Sequence, residues 1–438
     1  METLCQVLMG MLLPCLLMGA GVWFAVTVGR YLFCHPRRML HALRGEGGKS
    51  AARALALALA GTLGVGNIAG VATAMVLGGA GAVFWMWVSS FLAMLLKYAE
   101  IVLAMRTRRY DAEGRAHGGA MLYIKEAVGG KMGRMLAAAF AVLCLLCSFT
   151  LGGVIQSSAA AEATAAVFHI PPLWVGLLMG VAAALILAKG SDRVEHACAA
   201  LVPLVCALFA VAAVAVLVLR REAIPAAFAA IFKGAFSFRS SGAGALGFLT
   251  AKGVRYGVTR GLISNEAGCG TAPIAHAASE KRPAEQGVWG ILEVFVDTVL
   301  LCTLTALVIL VSGVPLVGEG GVMLALDAFA AVLGGIAPPV LAVSVLFFAF
   351  ATVLCWSHYG GECLCYLTGK KGAAKWMIPS VLAASAVGAV AAPALLWELT
   401  DLVVTLMAVL NITALLCCHR AVKAETVAYF EPPPNGKF

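Results

Sequence analysis

Gly61, Gly64 and Gly66 fall within six positions and lead into Asn67, Ile68, Ala69 and Gly70, in the middle of an apolar run over 51–77. Glycine and asparagine are poor helix formers, so this run is read as a helix broken at membrane depth. Unwound backbone there strands amides and carbonyls, each costly unless it lines a cavity or a site. The Val65, Gly66 and Asn67 amides, at the start of a second half-helix, suit a carboxylate. Carbonyls just before the break, at Ala60, Thr62 and Leu63, suit a hard cation such as Na+. The Asn67 side chain can add an oxygen or cap the half-helix. The competing reading is helix packing through the GxxxG of Gly66 and Gly70.

Other polar residues in apolar surroundings extend the set. Gln156 follows Gly152-Gly153-Val154-Ile155 and can reach a zwitterion or join two helices. Asn265-Glu266 precede Gly268-Cys269-Gly270, a second glycine-rich break whose backbone faces a ligand from the opposite side. Glu266 would be costly alone, and Arg260 or Arg255 is its expected partner. Glu293 and Asp297 are four apart on one helical face. That arrangement suits proton coupling, unless Lys97, serines or backbone groups satisfy the pair. Thr352 can give an oxygen to a cation or bond back to its own helix, and Trp356 can wall a small pocket. No P-loop, HExxH or nucleophile–histidine–acid order occurs, so no enzyme is expected. The cysteines lack zinc spacing and no cofactor is expected.

These residues need helices to hold them, and composition supplies little else. The 438 residues are 62% hydrophobic and 12% charged, against about 45–50% and 25% in a soluble protein. Spans of about 20 residues and charged breaks divide the chain into eleven apolar segments: 7–33, 51–77, 82–105, 135–168, 173–188, 197–219, 252–278, 286–312, 339–367, 376–395 and 399–418. The net charge of +9 resides in short basic loops, which set orientation and do not mark a nucleic-acid binder. Loops 34–52, 106–134, 189–196, 279–285 and 370–375 fall on the cytoplasmic side, with the N-terminus outside and the C-terminus inside. The stretch 220–250 reads as an interfacial helix and loop, 313–338 as a loop without lysine or arginine, and everything beyond 420 as a short polar tail. The second break lies five segments after the first with opposite topology. Matching broken helices in inverted halves point to a transporter site.

At these residues the chain resembles the alanine/glycine:cation symporter family of the amino acid–polyamine–organocation superfamily. The matching blocks are Gly64-Val-Gly-Asn-Ile-Ala-Gly-Val-Ala-Thr, Phe84-Trp-Met-Trp, Lys97-Tyr-Ala-Glu100, Arg260-Gly-Leu-Ile-Ser-Asn-Glu-Ala-Gly268, Ala272-Pro-Ile-Ala-His-Ala277, Gln286-Gly, Asp297-Thr298 and Trp356. The resemblance implies an all-α membrane protein of about 11 transmembrane helices with the leucine-transporter-like fold. An extra helix (7–33) would precede an inverted five-plus-five repeat (51–219 and 252–418), and 419–438 would form a cytoplasmic tail. It implies a symporter in the inner cell membrane that imports a small neutral amino acid with Na+ by alternating access. Substrate would rest on Val65, Gly66 and Asn67, with Gln156, Gly268, Cys269, Gly270 and Trp356 completing the pocket. Na+ would lie among Ala60, Leu63 and Thr352. The family usually has serine or threonine where this chain has Ala351, and a small residue where it has Glu293. An H+-coupled carrier using Glu293 and Asp297 is therefore the alternative, followed by a membrane-embedded enzyme or scaffold and a passive channel.

Overall fold

The computed structural model describes residues 12–236, 252–318, 320–390 and 394–431, with the side chains of 394–397 left out. The sequence readings at the N-terminus, in 237–251 and in the proline-rich end beyond 431 lie outside the described residues. Among the described residues, eight helices are long and apolar enough to cross a membrane, and a pair bent by 65°, Gly48–Thr62 with Val65–Gly78, makes a ninth. With the shorter Pro172–Leu187 and a second broken helix, eleven segments stand at the positions predicted from the apolar runs.

Leu13–Cys34 (α1) is the extra helix. Its buried residues Leu13, Leu17, Ala20, Phe24, Val28 and Leu32 recur every three or four positions, a single inward stripe. The short helix Pro36–Arg44 (α2) follows. The first broken helix comprises Gly48–Thr62 (α3), a 3-10 turn Val65–Asn67 and Ala69–Gly78 (α4). Next come Gly81–Thr107 (α5), Ala120–Val128 (α6), Gly130–Phe168 (α7), Pro172–Leu187 (α8), Ser191–Leu219 (α9) and Ile224–Ala235 (α10). The second broken helix is Lys252–Asn265 (α11) and Ala272–His276 (α12). The remainder is Pro283–Ser312 (α13), Gly321–Leu333 (α14), Ala337–Thr368 (α15), Met377–Val390 (α16), Ala394–Cys417 (α17) and His419–Phe430 (α18).

Three readings change. The region 313–338 is not simply a loop: α14 fills it and packs over α4 and α15. The basic region 106–134 contains α6 and the start of α7, which begins five residues earlier than its apolar run suggests. The region beyond 420 is mostly the helix α18. At thirteen residues α14 is apolar but too short to count as a span, and α6 and α18 carry charges that a search for apolar runs reads as loop.

Helix α5 is the central support, packed most extensively on α11 and α13 and also on α1. Two π-helical turns, Thr150–Ile155 in α7 and Phe295–Cys302 in α13, shift the register beside the breaks, a place where such turns often serve function.

An antiparallel hairpin, Arg109–Tyr110 (β1) and Ala116–His117 (β2), follows α5. It is tied to α15 by His117 Nδ1 and Glu362 Oε2 at 2.8 Å, and to the 371–376 turn through Lys371, which pairs with Asp111 and Glu113. The bond to Glu362 raises His117 above its ordinary 6.5 against partial burial, with Asp111 adding to the rise. Protonated histidine therefore stabilises the latch fully below about pH 6.5, and that contribution fades as pH climbs through the raised value. Amide exchange in 109–117, corrected for its intrinsic pH dependence, should accelerate above neutrality, and His117→Gln should flatten the profile. A wild-type profile already flat would remove His117 from the latch.

Candidate functional site

The first break is assembled from four helices. Beyond α3, Leu63 N–H donates to Leu59 O at 2.7 Å and Gly64 N–H to Thr62 O at 2.8 Å. Groups that the break frees are taken up by distant side chains. Val65 N–H donates to Gln156 Oε1 at 3.1 Å, Thr305 Oγ1 donates to Asn67 O at 2.8 Å, and Thr352 Oγ1 donates to Ala60 O at 2.9 Å. A Cβ on Gly64 would stand 2.8 Å from Gln156 Oε1 and 2.9 Å from Thr352 Oγ1. Glycine is needed there because two polar side chains close on one backbone. Packing through Gly66 and Gly70 is not what the structure shows. A Cβ on Gly70 would meet nothing within 4 Å, and one on Gly66 only Ser264 Cα at 3.8 Å.

The second break spans 266–271. Glu266, Gly268 and Gly270 take left-handed φ values of 53°, 85° and 81°, a conformation that glycine accepts and glutamate adopts at a cost. Gly270 N–H donates to Glu100 Oε1 at 3.0 Å. Asn411 Nδ2 donates to Gly268 O at 2.8 Å and to the same Glu100 oxygen at 2.5 Å, and Tyr123 OH donates to Asn411 Oδ1 at 2.5 Å. Glu100, Asn411 and Tyr123 thus hold the break and were not read as site residues. A carboxylate mid-helix in an apolar run was the one available signal for Glu100.

Glu266 does not pair with Arg255 or Arg260. Its Oε1 accepts from Trp356 Nε1 at 3.1 Å and its Oε2 from Thr271 Oγ1 at 2.6 Å. Arg255 lies over the Tyr256 ring and Arg260 acts electrostatically on Asp401. With a left-handed φ of 53° at Glu266, its carboxylate meets Trp356 and Thr271, which a helical projection does not anticipate.

Between the breaks lies a cavity of about 20 Å³ lined by Gly61, Thr62, Gly64, Gly66, Leu151, Gln156, Ile263 and Glu266. That is room for little more than one water. Gly66 is the one residue from Ala56 to Ala72 that is half-buried where the others are buried. The wall therefore offers backbone at Gly66, the Gln156 amide, the Glu266 carboxylate and two aliphatic side chains. Val65 and Asn67 lie just behind Gly66, and Trp356 behind Glu266. Gly268, Cys269 and Gly270 stand farther back, facing Ile412 and, at Gly270, Ala120 and Phe140. None of these six lines the cavity.

Two oxygen-rich corners adjoin it. In one, the Thr352 hydroxyl meets the Ala60 carbonyl; Leu63 is buried nearby in sequence, but its amide turns back to α3. In the other, Asp297 gathers Asn67 Nδ2 at 2.8 Å on Oδ1, and Ser264 Oγ at 2.8 Å and Thr298 Oγ1 at 2.6 Å on Oδ2. Asn67 Oδ1 beside them is buried with no hydrogen-bond partner among the described residues. An orphaned oxygen, a carboxylate and two hydroxyls are the donor set of a hard cation.

Glu293 and Asp297 do not work as one face. The π-helical turn begins between them, and each has partners of its own. Glu293 Oε1 pairs with Lys97 Nζ at 3.1 Å and its Oε2 meets His276 Nε2 at 3.0 Å. With its charge matched by Lys97, Glu293 is a structural ion pair, and Asp297 serves the oxygen-rich corner.

Comparison with known proteins follows the same lines. The sodium:alanine symporter family matches residues 1–437. The sodium/alanine symporter AgcS of Methanococcus maripaludis is 36% identical over 438 residues, covering 96% of this chain and 94% of that protein. The amino-acid carrier protein AlsT of Bacillus subtilis is 31% identical over 402 residues, covering 91% of this chain and 84% of that protein. Among solved structures, MhsT in complex with L-phenylalanine aligns with a TM-score of 0.56 at 14% identity, covering 87% of this chain and 92% of that one. This last likeness shows a shared fold.

Proposed function

Because the chain belongs to the sodium:alanine symporter family, we propose that its two breaks form the site where a small neutral amino acid and Na+ bind together before import. The protein is a multi-pass membrane transporter that couples Na+ to small amino acids, and it is not an enzyme. Alanine or glycine is the substrate we assign. Its carboxylate rests on the Gly66 end of the first break, where backbone N–H groups open α4. Gln156 orients it from α7. Glu266, the one carboxylate on the cavity wall, receives the ammonium group, and Trp356 and Thr271 hold Glu266 in place. Leu151 and Ile263 also line the cavity, and because it has room for little more than one water, the half-helices must part to admit even the smallest amino acids. Na+ takes the Asp297 corner and the Ala60–Thr352 corner. Alternating access follows from the breaks, since half-helices joined by unwound turns can tilt about a fixed site.

The single observation that carries this reading is the small cavity lined by Gly66, Gln156 and Glu266, which sets the backbone that opens α4 and a carboxylate on one wall. Purified protein in liposomes should accumulate alanine under an inward Na+ gradient, and not under an inward H+ gradient alone. Accumulation driven equally well by H+ would favour the proton-coupled alternative, and uptake indifferent to any gradient would make the protein a passive channel. In the same assay Thr352→Ala should raise the Na+ concentration for half-maximal uptake severalfold. Unchanged Na+ dependence would remove Thr352 from the cation site.

A further inference from the structure

Away from the transport site, the structure assigns a second binding site, for the phosphate head group of an anionic phospholipid, to the basic pocket beside α2. This pocket has a volume of about 1060 Å³, and Arg37, Arg38, His41, Lys281 and Arg282 line it. Lys281 carries the argument. Only 3% of it is exposed, and among the described residues its ammonium has neither an ion pair nor a hydrogen bond. The ammonium reaches the pocket wall at Gly45, where a Cβ would lie 3.4 Å from Nζ. The stem is buried while the ammonium opens onto the pocket, so its counter-charge comes from what fills the pocket.

Acids are present too. Of Glu46, Glu280 and Glu285 on the same wall, Glu285 is committed, because its Oε2 accepts Arg282 N–H at 3.2 Å to cap α13. Arg38 is likewise engaged, donating to the Tyr429 and Phe430 carbonyls at the end of α18. Arg37, Lys281 and Arg282 remain to face a ligand, with Glu46 and Glu280 beside them, so the uncommitted side chains leave one net positive charge on the wall. Gly47, also on the wall, immediately precedes the fifteen-residue α3, so the positive end of that helix dipole opens here as well.

The position of the pocket favours a lipid. It is lined from α2, which follows the spanning helix α1, and Leu40, 53% exposed on α2 beside His41 in the chain, supplies apolar surface on the same short helix. Basic pockets at the membrane surface next to spanning helices recognise anionic head groups in this way. The pocket also joins the ends of both broken helices. Ser50 Oγ donates to Gly47 O at 2.8 Å and accepts from Glu280 N–H at 3.1 Å, linking the start of α3 to the turn between α12 and α13. A bound head group therefore braces two elements that move when this face opens.

Full-length protein in detergent, exposed to phosphatidylglycerol or phosphatidylcholine and examined by native mass spectrometry, tests the assignment. Wild type should retain phosphatidylglycerol and not phosphatidylcholine. Lys281→Gln should weaken retention roughly fivefold, and Arg37→Gln/Lys281→Gln further. Lys281→Arg should restore it, and an unchanged size-exclusion profile and melting temperature show that each variant is folded. Equal retention by wild type and the double variant overturns the proposal. So does inorganic phosphate alone stabilising wild type against heat as well as phosphatidylglycerol does, since the ligand is then a soluble anion. Truncation after Glu431 should leave retention unchanged. If retention appears only in the truncated chain, residues 432–438 are the occupant and the lipid assignment falls.

Discussion

Lys97→Met should destabilise the folded transporter by about 3–5 kcal/mol, the usual cost of leaving one partner of a buried ion pair alone. Lys97 is fully buried, and its ammonium stands 3.1 Å from Glu293 Oε1. The carboxylate's remaining support is His276 Nε2, whose ring receives Gln286 Nε2 at 2.6 Å on Nδ1. Gln286 Oε1 in turn accepts from Ser279 Oγ at 2.7 Å. With the amide donating to Nδ1, the ring carries its proton on Nε2 and donates it to Glu293. A neutral donor of this kind cannot replace a cation. Lys97→Met/Glu293→Met removes both charges and should recover most of the loss, because a buried pair exchanged for apolar residues is often near neutral. Melting temperatures of the four proteins, wild type included, complete the cycle. A double variant no more stable than Lys97→Met would show that the pair is not the reason Lys97 is needed.

Asp297→Ala should abolish Na+-driven uptake, and Asp297→Asn should raise the half-saturating Na+ concentration by roughly tenfold or more. Each hydrogen bond to a charged group contributes about 1.5–3 kcal/mol, and Asp297 holds Asn67, Ser264 and Thr298 at once. Alanine removes the carboxylate from Ser264 and Thr298 and leaves Asn67 Nδ2 the backbone carbonyl of residue 297, at 3.0 Å. Asparagine keeps the shape but withdraws the charge that attracts the cation, so its effect should fall on Na+ before it falls on the amino acid. Equal Na+ dependence in wild type and Asp297→Asn would take Asp297 out of the cation corner.

These two aspartate and lysine effects also mark how far the sequence could be read. Both breaks were visible because glycine and asparagine interrupt apolar runs, and a break is a local property. The partners of the breaks were not visible. Glu100 reaches Gly270 across 170 positions and Asn411 reaches Glu100 across 311, separations that no periodicity encodes. Glu266 was assigned to an arginine because a helical projection was applied where the backbone turns left-handed. Glu293 and Asp297 were placed together by the spacing of an α-helix, and the π-helical turn of α13 gives each its own partners. Thr352 beside Ala60 and Gln156 beside Val65 were supplied by the family resemblance, since nothing in either run alone points to the other. The helix α14 and the terminal α18 were missed for a simpler reason. Helix α14 is apolar but too short, at thirteen residues, to count as a span, and the charged α18 looks like a polar tail to a hydropathy count.

The central claim is that Na+ and a small amino acid occupy adjoining parts of one site between the breaks. Binding linkage tests it most directly. Alanine affinity should be measured on purified protein in sodium chloride and in choline chloride, and Na+ affinity with and without alanine. The account predicts that Na+ tightens alanine at least about tenfold, that alanine tightens Na+ by the same factor, and that Asp297→Asn reduces both together. Alanine binding of equal strength in both salts would contradict it.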